Sequence, residues 1–357
     1  MLASKSARTV AVAALLGAAV SGAAVSAAAA SAPELQQRAV PCGNVAELIE
    51  QINAANTRGW GSIVLSSGCT YVLTAPAGPD GANGLPTITG NLTIVGSRAT
   101  ITRQSPTAFR IAEVAPQGYL TLSGITVSGG SATGISATTG GGILTEGTLA
   151  LAGSRVTGNT ASVLGGGIAV APGARARLVG STVSNNSAGD GGGVHVGESA
   201  RLNVTGGSLQ DNTATFLGGG LATFGTTVLT GTAVRGNSTE NFEGGGIYTA
   251  LGPLTLNGGF VTANKAASYG GGIANAGSTL RLQSTAVNDN ESGLDGGGLY
   301  HQAGTSSLLG GRVSDNVAGG QGGGIFRVGG TVVLTGTPVV NNTPDNCAPP
   351  GIPGCTG

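Results

Sequence analysis

The stretch "DGGGVHVGESARLNVTGGSLQDNTA", Asp190 to Ala214, puts an acidic residue, three glycines and a histidine in one run, and taken alone it suggests a loop that cradles calcium or phosphate. Its neighbours decide the reading. Glycine triplets begin at Gly140, Gly165, Gly191, Gly218, Gly244, Gly270, Gly296 and Gly322, in steps of 25, 26, 27, 26, 26, 26 and 26. An aliphatic residue follows each triplet: Ile143, Ile168, Val194, Leu221, Ile247, Ile273, Leu299 and Ile325. An alternating apolar pair comes next, such as Leu202 and Val204 or Leu254 and Leu256. Each repeat then closes on an asparagine three positions after an aliphatic residue: Asn159, Asn186, Asn212, Asn237, Asn264, Asn290, Asn316 and Asn342.

Period-two apolar stretches separated by Gly, Ser, Thr and Asn predict three strands per repeat, and no repeat has room for a helix. Such a unit cannot bury its apolar positions alone, whereas stacked copies form a continuous core. The fold expected is therefore all-β, a single-stranded parallel β-helix. With the weaker coils at Ile63, Asn91 and Tyr119 it has 10–11 coils of about 26 residues, roughly 50 Å of rod at ~4.8 Å per coil. The aliphatic residues form an inward column. The asparagines form a ladder at a bend, their amides reaching adjacent coils and their backbone in the left-handed region.

Composition agrees with a repeat architecture: 68 glycines, 3% aromatic and 9% charged residues in 357, with hydrophobic residues at 40%. A formal net charge of zero gives no electrostatic reason to expect nucleic acid as partner. Residues 1–32 read as a secretory signal, with Lys5 and Arg8, an apolar run from Thr9 to Val20, and small residues up to a cleavage point between Ala28 and Ala32. That run is too short to cross a bilayer, so no membrane insertion is expected and the mature chain is read as secreted. Export favours disulfides, Cys42 with Cys69 and Cys347 with Cys355, over a zinc site. The β-helix domain is placed at 33–342. Within it, 42–75 is an N-terminal cap whose amphipathic helix, Val45 to Asn56, covers the open end. Residues 343–357 are expected to form a strandless, disulfide-pinned C-terminal cap.

The triplet-aliphatic and aliphatic-x-x-Asn markers resemble the "GGAI" and "FxxN" motifs of polymorphic outer membrane protein repeats, with Val or Leu in place of Phe in every copy. That resemblance, over Gly140 to Asn342, implies a right-handed β-helix of the pectin-lyase-like superfamily and an adhesin-like role; the residues after Asn342 leave no room for the outer-membrane barrel of those proteins, so anchoring by one is not expected. The segment "CGNVAELIEQINAAN" with "GSIVLSSGCTYVLT" resembles, in degenerate form, the N-terminal cap of exported bacterial β-helix proteins of the CSLREA type.

Enzymes share this fold, so a polysaccharide lyase or hydrolase is one alternative and a structural envelope protein another. The "NTD" and "GHG" signatures of polygalacturonase-like sites do not occur, and Asp289 and Asp315 are the only acids paired on adjacent coils. RTX-type calcium repeats recur every nine residues with an aspartate each time, unlike these. No pattern calls for a metal or cofactor, and no residue is assigned as catalytic.

Two aligned columns remain. The residue before each triplet is Thr139, Leu164, Asp190, Leu217, Glu243, Tyr269, Asp295 and Gln321; the residue after the inward aliphatic is Leu144, Ala169, His195, Ala222, Tyr248, Ala274, Tyr300 and Phe326. The pairs Asp190 and His195, Glu243 and Tyr248, and Asp295 and Tyr300 thus fall on alternate coils. They are read either as packing, with large residues and like charges skipping a coil, or as a groove for an extracellular polysaccharide or cell-surface glycan, with aromatic platforms and carboxylate acceptors.

Overall fold

A computed structural model describes residues 39–78, 81–134 and 139–356. The leader expected over 1–32 lies outside the described residues. The chain winds as a parallel β-solenoid of about 26 residues per coil, with one helix near its N-terminal end.

The five repeats from Gly140 to Gly244 contribute four strands each, one more than the sequence suggests, while in the next two the first two strands run together as Ile273–Gln283 and Leu299–Leu309. The triplet sheet follows the glycines, as in Ile168–Val170 and Val194–Val196. The middle sheet carries the alternating pairs, as in Arg175–Val179 and Arg201–Thr205, and runs from Trp60–Val64 to Thr331–Thr335. The third sheet leads into the asparagines, as in Thr182–Ser184 and Ser208–Gln210. The fourth ladder has eight short strands, among them Thr160–Ala161, Lys265–Ala266 and Val317–Ala318. Most span two residues, too short to display alternation.

The register is kept from coil to coil. Ile143, Ile168, Val194, Leu221, Ile247, Ile273, Leu299 and Ile325 stand directly above one another and are fully buried. Each burial stabilises by about 1.5–3 kcal/mol, and the column is one wall of a continuous core.

The helix, Val45–Arg58, starts at Asn44, whose side chain accepts from the Glu47 N–H, and stops at Gly59 in the left-handed region. Leu48, Ile52 and Ala55 face the core. Ala55 packs so close to Gly61 on the first strand that a side chain there would overlap it. Cys42–Cys69 and Cys347–Cys355 are disulfide-bonded, and no cysteine is free. The C-terminal cap is not strandless: Cys347–Ala348 pairs with Ile325 and Phe326 as the last rung of the triplet sheet, with Ile352 buried beside it. The register that continues the inward column into Cys347 is invisible in a segment rich in Pro and Gly. No helix among the described residues is long and apolar enough to cross a membrane, and the two disulfides fit an oxidising compartment.

Candidate functional site

Two repeating features on the coil compete for the role of site. At one bend the asparagines are consumed by structure. Asn212 donates from its amide to Asn237 Oδ1 (3.0 Å) and to the Val183 carbonyl (3.0 Å), while its backbone N–H also donates to Asn237 Oδ1 (3.0 Å). The same pattern links Asn159, Asn186, Asn237, Asn264, Asn290, Asn316 and Asn342, and the chain of bonds ends on Asn346. All are buried. The left-handed residue is the one before each asparagine rather than the asparagine itself: Asn185, Asp211, Ala263, Asp289, Asp315 and Asn341, with glycine at 158 and 236. Asn and Asp tolerate that conformation through local hydrogen bonding, which accounts for Asp289 and Asp315 as turn residues.

The glycine triplet is also architecture. Gly191 sits at φ +62°, and a side chain on Gly192 would run into the carbonyl oxygens of Thr213 and Gly219 on the next coil.

The other feature is the face beside the triplets. The column Leu144, Ala169, His195, Ala222, Tyr248, Ala274, Tyr300 and Phe326 is in unbroken register. It is less open than an outward column should be, since His195 and Tyr300 are each only 8% exposed while Tyr248 is half-buried. The rings cover one another. Phe224 lies between His195 and Tyr248, at 5.5 and 5.8 Å between ring centres, and Tyr300 stacks on both Tyr269 (4.6 Å) and Phe326 (5.8 Å). Alternation with Ala169, Ala222 and Ala274 leaves His195 and Tyr248 space above small neighbours, whereas Tyr300 and Phe326 fill adjacent coils and stack.

The acids of the preceding column differ in what they do. Asp190 Oδ1 accepts from the Leu217 N–H (3.1 Å) and Asp295 Oδ1 from the Gln321 N–H (2.8 Å), so both bind the equivalent residue of the next coil. Thr139 does the same for Leu164 through its hydroxyl. Glu243 has no hydrogen-bond partner among the described residues and is half-buried; burial pushes its carboxyl up, as it does Asp190's against the opposing Leu217 hydrogen bond. The Tyr248 hydroxyl is raised by burial, then by the charges of Glu243 and Asp190, and that of Tyr300 by burial, then by Glu243, Tyr269 and Asp295. The six sequence-selected residues thus occupy neighbouring columns of one face, and the two tyrosines stand close enough to the acids to feel their charge.

At its upper end the face deepens into a concavity of about 350 Å³ lined by Leu164, Ala169, Pro172, His195, Glu198 and Phe224 among others. Burial lowers His195 to about 4, so the imidazole is neutral at physiological pH. Its ring nitrogens have no hydrogen-bond partner among the described residues. A second concavity of about 410 Å³ shares Glu198 and Phe224 and adds Ser199, Leu251 and Gly252. A crest borders the acid column one residue upstream, with Val163, Phe216, Phe242 and Leu294 exposed (Phe216 45%, Phe242 51%) and the two phenylalanine rings 5.8 Å apart.

Sequence reasoning missed Glu198 and Phe224, which stand at the corner after the triplet strand where no column rule applies. It also missed an interior polar seam. In the register of Val170 and Val196 the later coils place Thr223, Thr249, Asn275 and His301, all fully buried. Ser306 and His301 Nδ1 share a hydrogen bond (2.8 Å), and Asn275 donates to Ser306 Oγ (3.0 Å). Burial, then the charge of Arg327, lowers the pKa of His301, opposed by a hydrogen bond with the Gly304 backbone. The described residues contain no group of three or more His, Cys, Asp or Glu side chains placed to hold a metal.

The fold and this face define a class: a disulfide-capped parallel β-solenoid with an aromatic and carboxylate strip along one side. No family model, curated protein or solved structure matches the chain.

Proposed function

We propose that the chain is a secreted, non-catalytic, right-handed β-helix protein of the pectin-lyase-like kind that binds an extended extracellular glycan along this strip in an adhesin-like role. The right-handed sense follows from the strong preference of parallel crossovers for that hand. Secretion is supported by the leader-like N-terminal sequence together with the two disulfides.

The observation that carries the reading is the run of touching rings, His195, Phe224 and Tyr248, then Tyr269, Tyr300 and Phe326, beside carboxylates on alternate coils. Sugar faces are apolar and their edges are rich in hydroxyl donors, so ring platforms flanked by acceptors match both. Two coils advance about 9.6 Å, close to the length of a β-1,4-linked disaccharide, so the acids recur in step with such a chain. The exposed phenylalanine crest supplies a wall that keeps the chain on the strip.

Binding of the full chain to a polysaccharide array, repeated with Tyr248→Ala combined with Tyr269→Ala, tests this. Both residues are half-buried and outside the inner core, so the fold is expected to survive. Loss of about tenfold in affinity, or ~1.4 kcal/mol, is the expected result; unchanged binding, or no binding by the parent protein, rejects the strip as a glycan site.

A further inference from the structure

Resting on that reading, we infer that the glycan is cationic and that the concavity at His195 holds one of its amino-sugar rings, with the free ammonium group against Glu198. Three features of the concavity lead there. Its walls, Leu164, Ala169, Pro172 and the ring of Phe224, are apolar and suit the face of a pyranose. His195 is only 8% exposed, lines the space, and has neither ring nitrogen engaged among the described residues, so the donor and the acceptor of a largely buried ring remain available to a ligand. The Glu198 side chain stands exposed at the rim, its carboxylate without an ion pair or hydrogen bond among the described residues, in both this concavity and the next.

Charge decides the class of sugar. Asp190, Glu198, Glu243 and Asp295 lie on or beside the strip, and neither concavity is lined by Lys or Arg. The ion pairs the described residues form, Arg110 with Glu113 and Lys265 with Glu291, leave these four acids out. Arg175 and Arg201 belong to the outer face of the middle sheet, beyond the corner, and neither pairs with Glu198. An acidic polysaccharide would bring its carboxylates against these acids with no cation between them, whereas ammonium groups would neutralise them. A neutral imidazole suits the same ligand, because protonated His195 would repel it. The two concavities meet at Glu198 and Phe224, so adjacent sugars of a β-1,4-linked chain, each advancing by about one coil rise of ~4.8 Å, would lie on either side of the shared ring.

The full chain is titrated calorimetrically at about pH 6, where the sugar amines are charged and His195 is still neutral, and at moderate salt with a β-1,4-linked glucosamine hexamer, its fully N-acetylated counterpart, an oligogalacturonate and spermine. The glucosamine hexamer is expected to bind at least about tenfold more tightly than each of the others. Glu198→Gln, an exposed change that leaves the fold intact, is expected to remove most of that preference. Equal binding of the acetylated hexamer keeps a glycan surface and overturns the cationic assignment. Equal binding of spermine overturns the sugar ring in favour of charge alone. A preference untouched by Glu198→Gln moves the ammonium site away from His195. Binding of no oligosaccharide overturns both this inference and the wider glycan reading.

Discussion

The asparagine ladder and the aromatic strip repeat with the same period and sit on the same coils, yet they use their hydrogen-bonding capacity in opposite ways. Each inner ladder asparagine accepts from the coil before it and donates both to the coil after it and to a carbonyl, so nothing is left for a ligand. On the strip the neutral ring of His195 and the carboxylate of Glu243 have no hydrogen-bond partner among the described residues, and the acids that are engaged use one oxygen each. Periodicity alone therefore does not distinguish architecture from function. Whether the repeated polar groups are already satisfied does.

The largest expected effect breaks the closed side of this comparison. Asn237→Ala removes an acceptor used twice by Asn212 and a donor used by Leu209 and Asn264, all buried. Stranding those groups is expected to cost about 3–5 kcal/mol, measured by denaturant unfolding; a loss under about 1 kcal/mol would show that the ladder is ornamental.

Acid comes next. His195 and His301, the chain's two histidines, both titrate below the ordinary value of 6.5, His195 at about 4. Each depressed base binds its proton more readily in the unfolded chain, so the stability it lends is whole above pH 6.5 and is lost as pH falls towards the folded value. For His195 the loss is on the order of 3 kcal/mol between pH 7 and 4. The raised carboxyls of Asp190 and Glu243 act in the opposite sense, favouring the folded chain at the acid end and losing that contribution as pH rises past their unfolded values. Melting temperatures from pH 7 to 4 should therefore fall, and His195→Gln should flatten the slope; an unchanged slope in that variant contradicts the burial of His195.

A smaller change sharpens the ladder. Ala263 holds φ +52° where neighbouring repeats use Gly, Asn or Asp. Ala263→Gly relieves that strain at some cost in chain entropy and is expected to stabilise by about 0.5–1 kcal/mol, read by thermal unfolding; destabilisation would mean that the alanine methyl packs better than its backbone suffers. The smallest effect belongs to Glu198→Gln, expected to change stability by no more than about 0.5 kcal/mol, because the side chain is exposed and unpaired.

Much of this was legible in the sequence. Glycine triplets and asparagines at a fixed period give the parallel stacking, and aliphatic residues at one offset give the inward column, because both are consequences of a constant coil length. The cap helix was readable from Val45, Leu48 and Ile52 on one face. What the sequence hid were features without periodic contrast. The fourth ladder consists mostly of two-residue strands. The left-handed residue sits one place before the asparagine, and Thr223, Thr249, Asn275 and His301 continue an inward register that holds Val170 and Val196 in the two preceding coils. Of the site, the alternation of Asp190, Glu243 and Asp295 with His195, Tyr248 and Tyr300 could be read by aligning columns. The bonds that engage Asp190 and Asp295 could not, nor could the approach of Phe224 to His195, which depends on the path of the corner after the triplet strand.

Hydroxyl-radical footprinting of the full chain with and without a bound oligosaccharide asks the central question most directly, since it reads side-chain access at Phe224, Phe242, Tyr248 and Tyr269 at once. Reduced oxidation of these four, with the exposed Trp60 and Phe260 elsewhere unaffected, is the result expected if the strip is the ligand face. Binding that leaves their oxidation unchanged would place the ligand elsewhere and return the aromatic column to packing.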